Sequence, residues 1–256
     1  MTETGAYLYA IARGVDPDRL AGTPGLDGEP LRVVDHRGLV AVVSEVDLAD
    51  YGEEGLRRNL EDLAWLEQVA RGHDDVVQRV AALGPVTPLR LATICLDDDG
   101  VRARLDEWYD ALQAALDRVQ GRQEWSVKAY ADDRPAAAPA EEPATTGAGA
   151  GAAYLQRKKA STLQRASAQD RALELAERVH HALAGRSVAS RRLQPQDPRL
   201  TGHEGTMTLN GAYLVEEAEA GAFAMEADEL AAAHPEARIE VHGPWPPYSF
   251  ATLDPT

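Results

Sequence analysis

The chain is short of cysteine, aromatic residues, positive charge and long apolar runs, and each shortage excludes something. With Cys95 as the one cysteine, no internal disulfide can form, and a reducing compartment fits. Cys95 lies in the apolar run LATIC and reads as a buried, inert thiol. Aromatics are only 5% of residues, so alanine, leucine and valine must do most of the filling in a chain that is 44% hydrophobic. Basic residues number 26 against 42 acidic ones, and the net charge of −16 disfavours nucleic acid and anionic membranes as partners. No apolar run approaches the ~20 residues needed to span a bilayer. The first residues, MTETGAYLYA, have neither the basic region nor the apolar core of a signal peptide. The expectation is a soluble, cytoplasmic protein.

Motifs that carry chemistry are equally scarce. The sequence holds no phosphate loop ending in Gly-Lys-Ser/Thr, no paired-cysteine zinc pattern and no nucleophile elbow. GAGAGA at 147–152 precedes a predicted helix but follows an Ala/Pro/Thr-rich tract rather than a strand, so it reads as a flexible joint and not as a nucleotide-binding turn. Of the histidines, His180 and His181 are adjacent on a predicted helix and point about 100° apart, so both cannot serve one metal from that element. His73-Asp74-Asp75 reads as the acidic first turn of a helix restarting after Gly72. His203-Glu204 falls in a predicted loop. No catalytic residue, cofactor site or metal site follows, and the chain reads as a non-enzyme.

What is present is a regular alternation of strands and helices. At 256 residues the chain can build one large or two modest domains. In the first half, Tyr7, Tyr9 and Ile11 alternate with Leu8 and Ala10 as a strand. LRVV and LVAVVSEV flank Asp35-His36-Arg37-Gly38 as a hairpin, with Gly38 supplying the positive φ. A long helix is expected from Glu53 with Leu56, Leu60, Leu63 and Leu66 near one face, weakened at Gly72 and stopped at Gly84-Pro85. VTPLRLATICL is a strand candidate that Pro88 confines to an edge or a bulge. Asp98 or Asp99 caps a further helix with Leu105, Trp108, Leu112, Leu116 and Val119 as its apolar stripe, and Gly121 ends it.

In the second half, EWSVKAYA places Trp125, Val127 and Ala129 on one strand face. A Pro/Ala/Gly-rich tract follows, then a long helix from Ala153 to Ala184, a short strand in SVASRRL, and a loop. TMTLNGAYLV puts Met207, Leu209, Gly211, Tyr213 and Val215 on one face at period 2. AFAMEADELAAAH is helical until His234-Pro235, and Arg238–His242 alternates again. The closing GPWPPYSF holds Trp245, Tyr248 and Phe250 on a stiff extended segment. The expected fold is α+β with two domains. Residues 1–121 form an N-terminal α+β domain, and 122–256 form a C-terminal domain in the strand-helix-strand-strand-helix-strand order of a ferredoxin-like sheet.

Seven words in order carry a resemblance across nearly the whole chain: YLYAIA at 7–12, LVAVVSEV at 39–46, VTPLRLATIC at 86–95, EWSVKAYAD at 124–132, GAAYLQRKK at 151–159, LNGAYLV at 209–215 and GPWPPYSF at 243–250. The chain resembles the gas vesicle protein F/L family (GvpF/GvpL). One departure lies in VTPLRLATIC, where the family usually carries Phe-Gly and this chain has Leu91 and Ala92, a change that bears on local packing. The resemblance implies two α+β domains, the second a modified ferredoxin fold with a variable insertion, here 133–152. It implies an accessory role in gas vesicle formation, with the small apolar shell subunit and other gas vesicle proteins as partners and a location in the cytoplasm at gas vesicles. The alternative is a ferredoxin-like small-molecule-sensing module.

Two features are candidates for partner binding. Arg157, Lys158 and Lys159 sit near the start of the long helix, where the helix dipole disfavours cations, so an anionic partner is one reading and a solvated face is the other. Trp245, Tyr248 and Phe250 are either a docking strip or a lock that holds the last strand on a core.

Overall fold

The computed structural model describes residues 3–131, 150–196, 205–235 and 237–251. The chain divides into two compact units, one of Met1–Glu124 together with Pro244–Thr256 and the other of Trp125–Gly243.

The first unit is a sheet with a core on each face. Its strands are β1 (Thr4–Ala12), β2 (Arg32–His36), β3 (Leu39–Asp47), β4 (Val86–Pro88) and β5 (Ile94–Cys95). The order is β2-β3-β1-β4, with β5 also paired to β1, and every pair is antiparallel. β2 and β3 are joined by the two-residue turn Arg37-Gly38. Both residues have positive φ, 53° and 80°, as a hairpin turn matched to strand twist requires. VTPLRLATIC is not one strand. It makes two short contacts with the same edge of β1, at 10–12 and at 6–7, and Ala92 takes φ +60° in the loop between them.

β1 itself carries a bulge. Leu8 pairs with Val43 and Ala10 with Val42, so Tyr9 is an extra residue and the side-chain alternation reverses beyond it. Tyr7, Tyr9, Ala10 and Ala12 therefore face one core, while Ala6, Leu8 and Ile11 face the other. The expected grouping of Ile11 with the two tyrosines is corrected by that one residue.

Helices cover both faces. After α1 (Leu48–Tyr51), the helix expected from Glu53 is two: α2 (Glu53–Asn59) and α3 (Leu63–Ala81). Asp62 breaks the run because its carboxylate accepts from the N–H groups of Ala64 and Trp65, capping a new helix. The expected leucine face is consequently not the core face. Leu60 and Leu63 are exposed, whereas Val69, His73, Val76, Val77 and Val80 are buried. α3 runs unbroken through Gly72, where a Cβ would come within 2.8 Å of Leu26, so this glycine serves close approach and not termination. On the opposite face α4 (Asp98–Glu107) and α5 (Tyr109–Val119) meet at a kink at Trp108, and the cap is Asp97, which accepts from the Gly100 N–H. Leu105, Leu112 and Leu116 are buried there as the stripe predicts.

The second unit runs β6 (Arg122–Ala131), α6 (Ala150–Ala184), β7 (Ala189–Arg192), β8 (Thr206–Glu216), α7 (Ala220–Ala233) and β9 (Ala237–Trp245), with sheet order β7-β8-β6-β9. Its core gathers Val127 and Ala129 of β6, Leu209, Tyr213 and Val215 of β8, Leu175, Ala176, Val179 and Leu183 of α6, and Phe223 and Ala227 of α7. Gly211 is needed in β8 because the Tyr213 ring folds back over it. A Cβ there would lie 2.7 Å from the ring. Of the expected insertion, 133–149 lies outside the described residues, and 150–152 form the first residues of α6.

Candidate functional site

Three tyrosines, a histidine and a tryptophan pack together under the first sheet, with Tyr7 edge to face against Tyr51 and His73 and the other ring pairs tilted. Tyr7 lies 4.8 Å from Tyr9, 5.9 Å from Tyr51 and 5.7 Å from His73, and Tyr51 lies 5.3 Å from Trp65. The Tyr7 hydroxyl accepts from the Ala92 N–H at 3.1 Å and lies 3.0 Å from His73 Nδ1. Which of the two donates in the Tyr7–His73 bond is set by the histidine's tautomer. Tyr9 Oη accepts from the Leu26 N–H at 2.7 Å and bonds Ser44 Oγ at 2.7 Å. Burial pushes the Tyr7, Tyr9 and Tyr51 hydroxyls above the ordinary tyrosine range. Burial also lowers His73 to about 4, against the opposing pull of the Leu89 backbone and Asp74. Burial thus favours the neutral forms of the three tyrosines and of His73 near pH 7, and their ring contacts and hydrogen bonds tie β1 to α3.

The C-terminal segment closes over this cluster. Pro246 and Pro247 are buried, Tyr248 packs against the core and donates to Asp74 Oδ1 at 3.0 Å, and Phe250 is 2% exposed. Ser249 binds Glu124 through both its N–H and its hydroxyl, and Arg118 donates to the Phe250 carbonyl at 2.9 Å. These contacts are why the chain from Pro244 joins the first unit, a division that departs from the single domain expected over 122–256. They also separate the aromatic trio. Tyr248 and Phe250 anchor the segment, and Trp245, 45% exposed, is the one that faces solvent. The sequence carried one signal for the cluster: Val69, His73, Val76 and Val80 recur at helical spacing, which places His73 on the buried stripe of α3.

The other candidate region lies on α6. Lys158 and Lys159 are exposed, and the Arg157 side chain lies outside the described residues. Among the described side chains of α6, those that reach the core begin at Leu175, and those between 156 and 171 are all exposed, Leu163 at 62% among them. Where α6 does meet the sheet, His180 Nδ1 lies 2.9 Å from the Tyr213 hydroxyl, and burial depresses the histidine and raises the tyrosine. Among the described residues no group of three or more His, Cys, Asp or Glu is placed to hold a metal. An open depression of about 330 Å³ is lined by Gly185, Arg186, Ser187, Val188, Glu216 and Glu219, without a convergent set of reactive groups. No described helix is long and apolar enough to cross a membrane.

Comparison with known proteins agrees with this architecture. Residues 5–252 match the family described as "Gas vesicle synthesis protein GvpL/GvpF". The chain is 42% identical over 248 residues to gas vesicle protein L of Streptomyces sp. (strain CB03234), covering 96% of this chain and 92% of that one. It is 29% identical over 255 residues to gas vesicle protein F of the same strain, covering 95% and 98%. The crystal structure of GvpF from Anabaena sp. PCC7120 superposes with a TM-score of 0.68 at 18% identity, over 98% of this chain and 97% of that one. GvpF from Microcystis aeruginosa gives 0.67 at 20% identity, over 97% and 99%. The match over residues 5–252 and the 42% identity over 248 residues show that this chain belongs to the GvpL/GvpF family of gas vesicle synthesis proteins.

Proposed function

We propose that this protein acts in gas vesicle assembly as a non-catalytic binding protein, holding the small apolar shell subunit and other vesicle proteins while the vesicle forms. Family membership along residues 5–252 is the observation that carries this reading. Physical support comes from the surface. A protein of net charge −16 remains soluble beside an apolar subunit, and the exposed reach of α6 and Trp245 offer contact surface on stiff backbone. On this reading the partner contacts are Arg157, Lys158, Lys159 and Trp245, and the protein resides in the cytoplasm at growing vesicles. The sheet order β7-β8-β6-β9, with β6 and β8 central, supports reading the second unit as a ferredoxin-like scaffold. The ligand-sensing alternative is not favoured, because the depression beside β8 is open and lacks the enclosed, mostly apolar lining of a ligand site.

The test is capture of the purified shell subunit and of each accessory vesicle protein by the full chain. Capture that falls about tenfold with Lys158→Glu and Trp245→Ala together, with unfolding unchanged, supports the assignment. No capture of any vesicle protein, or normal vesicles in a host lacking the gene, overturns it.

A further inference from the structure

We propose that the outer face of α6 is a self-complementary seam that pairs two copies of this chain through antiparallel helices. The seam consists of Lys159, Leu163, Ala166, Asp170, Leu173 and Glu177, spaced four, three, four, three and four residues apart, the heptad rhythm of helix pairing. All six are exposed, including Leu163 at 62% and Leu173 at 46%. At about 100° per residue, the seam lies on the order of 140° round the helix from the face that buries Leu175, Ala176, Val179 and Leu183. α6 therefore has one face for its own sheet and a second, partly apolar, that its own unit leaves uncovered.

The order of residues along the seam selects the occupant. Laid antiparallel on its own copy about a two-fold axis level with Ala168, Leu163 meets the partner's Leu173, Lys159 meets the partner's Glu177, and Ala166 meets the partner's Asp170. Each contact is then made twice, as an isologous interface requires. A parallel pairing would instead set lysine on lysine, Asp170 on Asp170 and Glu177 on Glu177, repelling at three of six layers. Asp170 opposite the small Ala166 keeps access to water, so it pins the register and weakens the pair. Glu177 already holds Arg192 of β7, its Oε2 2.6 Å from the guanidinium, so the incoming lysine joins an existing ion pair. Apolar contact is limited to two leucine layers, which fits a reversible dimer with salt-dependent affinity. The inference is independent of the assembly reading, since it is tested on the purified chain alone.

The experiment is sedimentation velocity of the full chain over a concentration series at low and high salt. The expected result is a monomer–dimer equilibrium weakened by salt, with the dissociation constant raised about tenfold or more by Leu163→Glu and by Lys159→Glu separately, and thermal unfolding unchanged in both. In the antiparallel register A166C/D170C forms a covalent dimer on mild oxidation, while A168C, on another side of the helix, does not. A chain that stays monomeric throughout, a dimer insensitive to Leu163→Glu, or equal cross-linking by A168C overturns the proposal.

Discussion

Glu124, the last residue of the first unit's main stretch and 7% exposed, receives two hydrogen bonds from Ser249 of the same unit, one from the backbone N–H at 2.7 Å and one from the hydroxyl at 2.6 Å. The two residues are 125 positions apart, and the pair fastens the returning C-terminal segment. Hydrogen bonds to a buried charge contribute about 1.5–3 kcal/mol each. Ser249→Ala removes one of the two, so a loss of about 1.5–3 kcal/mol is expected in urea unfolding. Phe250→Ala should cost more, about 3–5 kcal/mol, because it empties a buried ring site.

Ala92 sits at φ +60°, a region that costs an L-residue about 1–2 kcal/mol. Ala92→Gly relieves that strain and keeps the N–H that Tyr7 accepts from, but glycine adds about 0.5–1 kcal/mol of unfolded-state entropy. The strain term is the larger. The variant should be more stable by about 0.5–1 kcal/mol, read as a higher urea midpoint at constant slope.

Gly211→Ala should destabilise by about 1–3 kcal/mol, because the new methyl collides with the Tyr213 ring. Displacing that ring also breaks the 2.9 Å contact with His180. Thermal unfolding reads the loss, and the His180 ring resonances in NMR report the broken contact.

His73 is lowered by burial from 6.5 to about 4 in the fold. Between those values the unfolded chain binds a proton that the folded chain excludes, so this histidine favours unfolding as the solution is acidified. Its stability contribution is intact above about pH 6.5 and is lost as pH falls toward 4, by an amount on the order of 3 kcal/mol. His73→Phe should be less stable at pH 7, since Tyr7 loses its partner, yet show a shallower decline from pH 6.5 to 4.5 than the parent. Urea midpoints across that range decide it.

Leu63, 78% exposed, and Val77, 0% exposed, lie on one helix and separate the two readings of its core face. Leu63→Lys should change stability by less than about 0.5 kcal/mol, while Val77→Ala should cost about 2 kcal/mol or more. Similar losses at both positions would contradict the placement of the buried stripe.

Much of this protein is written locally. The period-2 run Met207–Val215, the stripe Leu105–Leu112–Leu116, the Arg37-Gly38 turn and the end of α7 at His234 each depend on side chains within a few residues, and each stands in the structure where the pattern puts it. The family, too, was legible, because its words are short and local. Other features were decided by distant partners. Tyr9 became a bulge, which swapped the faces of β1 beyond it. Asp62 capped a new helix and turned Leu63 outward. Tyr248 and Phe250 were drawn onto the first unit, Tyr248 by an aspartate 174 residues away. Periodicity reports only which side of an element is apolar. Which core receives that side depends on contacts whose partners lie far along the chain, and those exist only once the chain has folded.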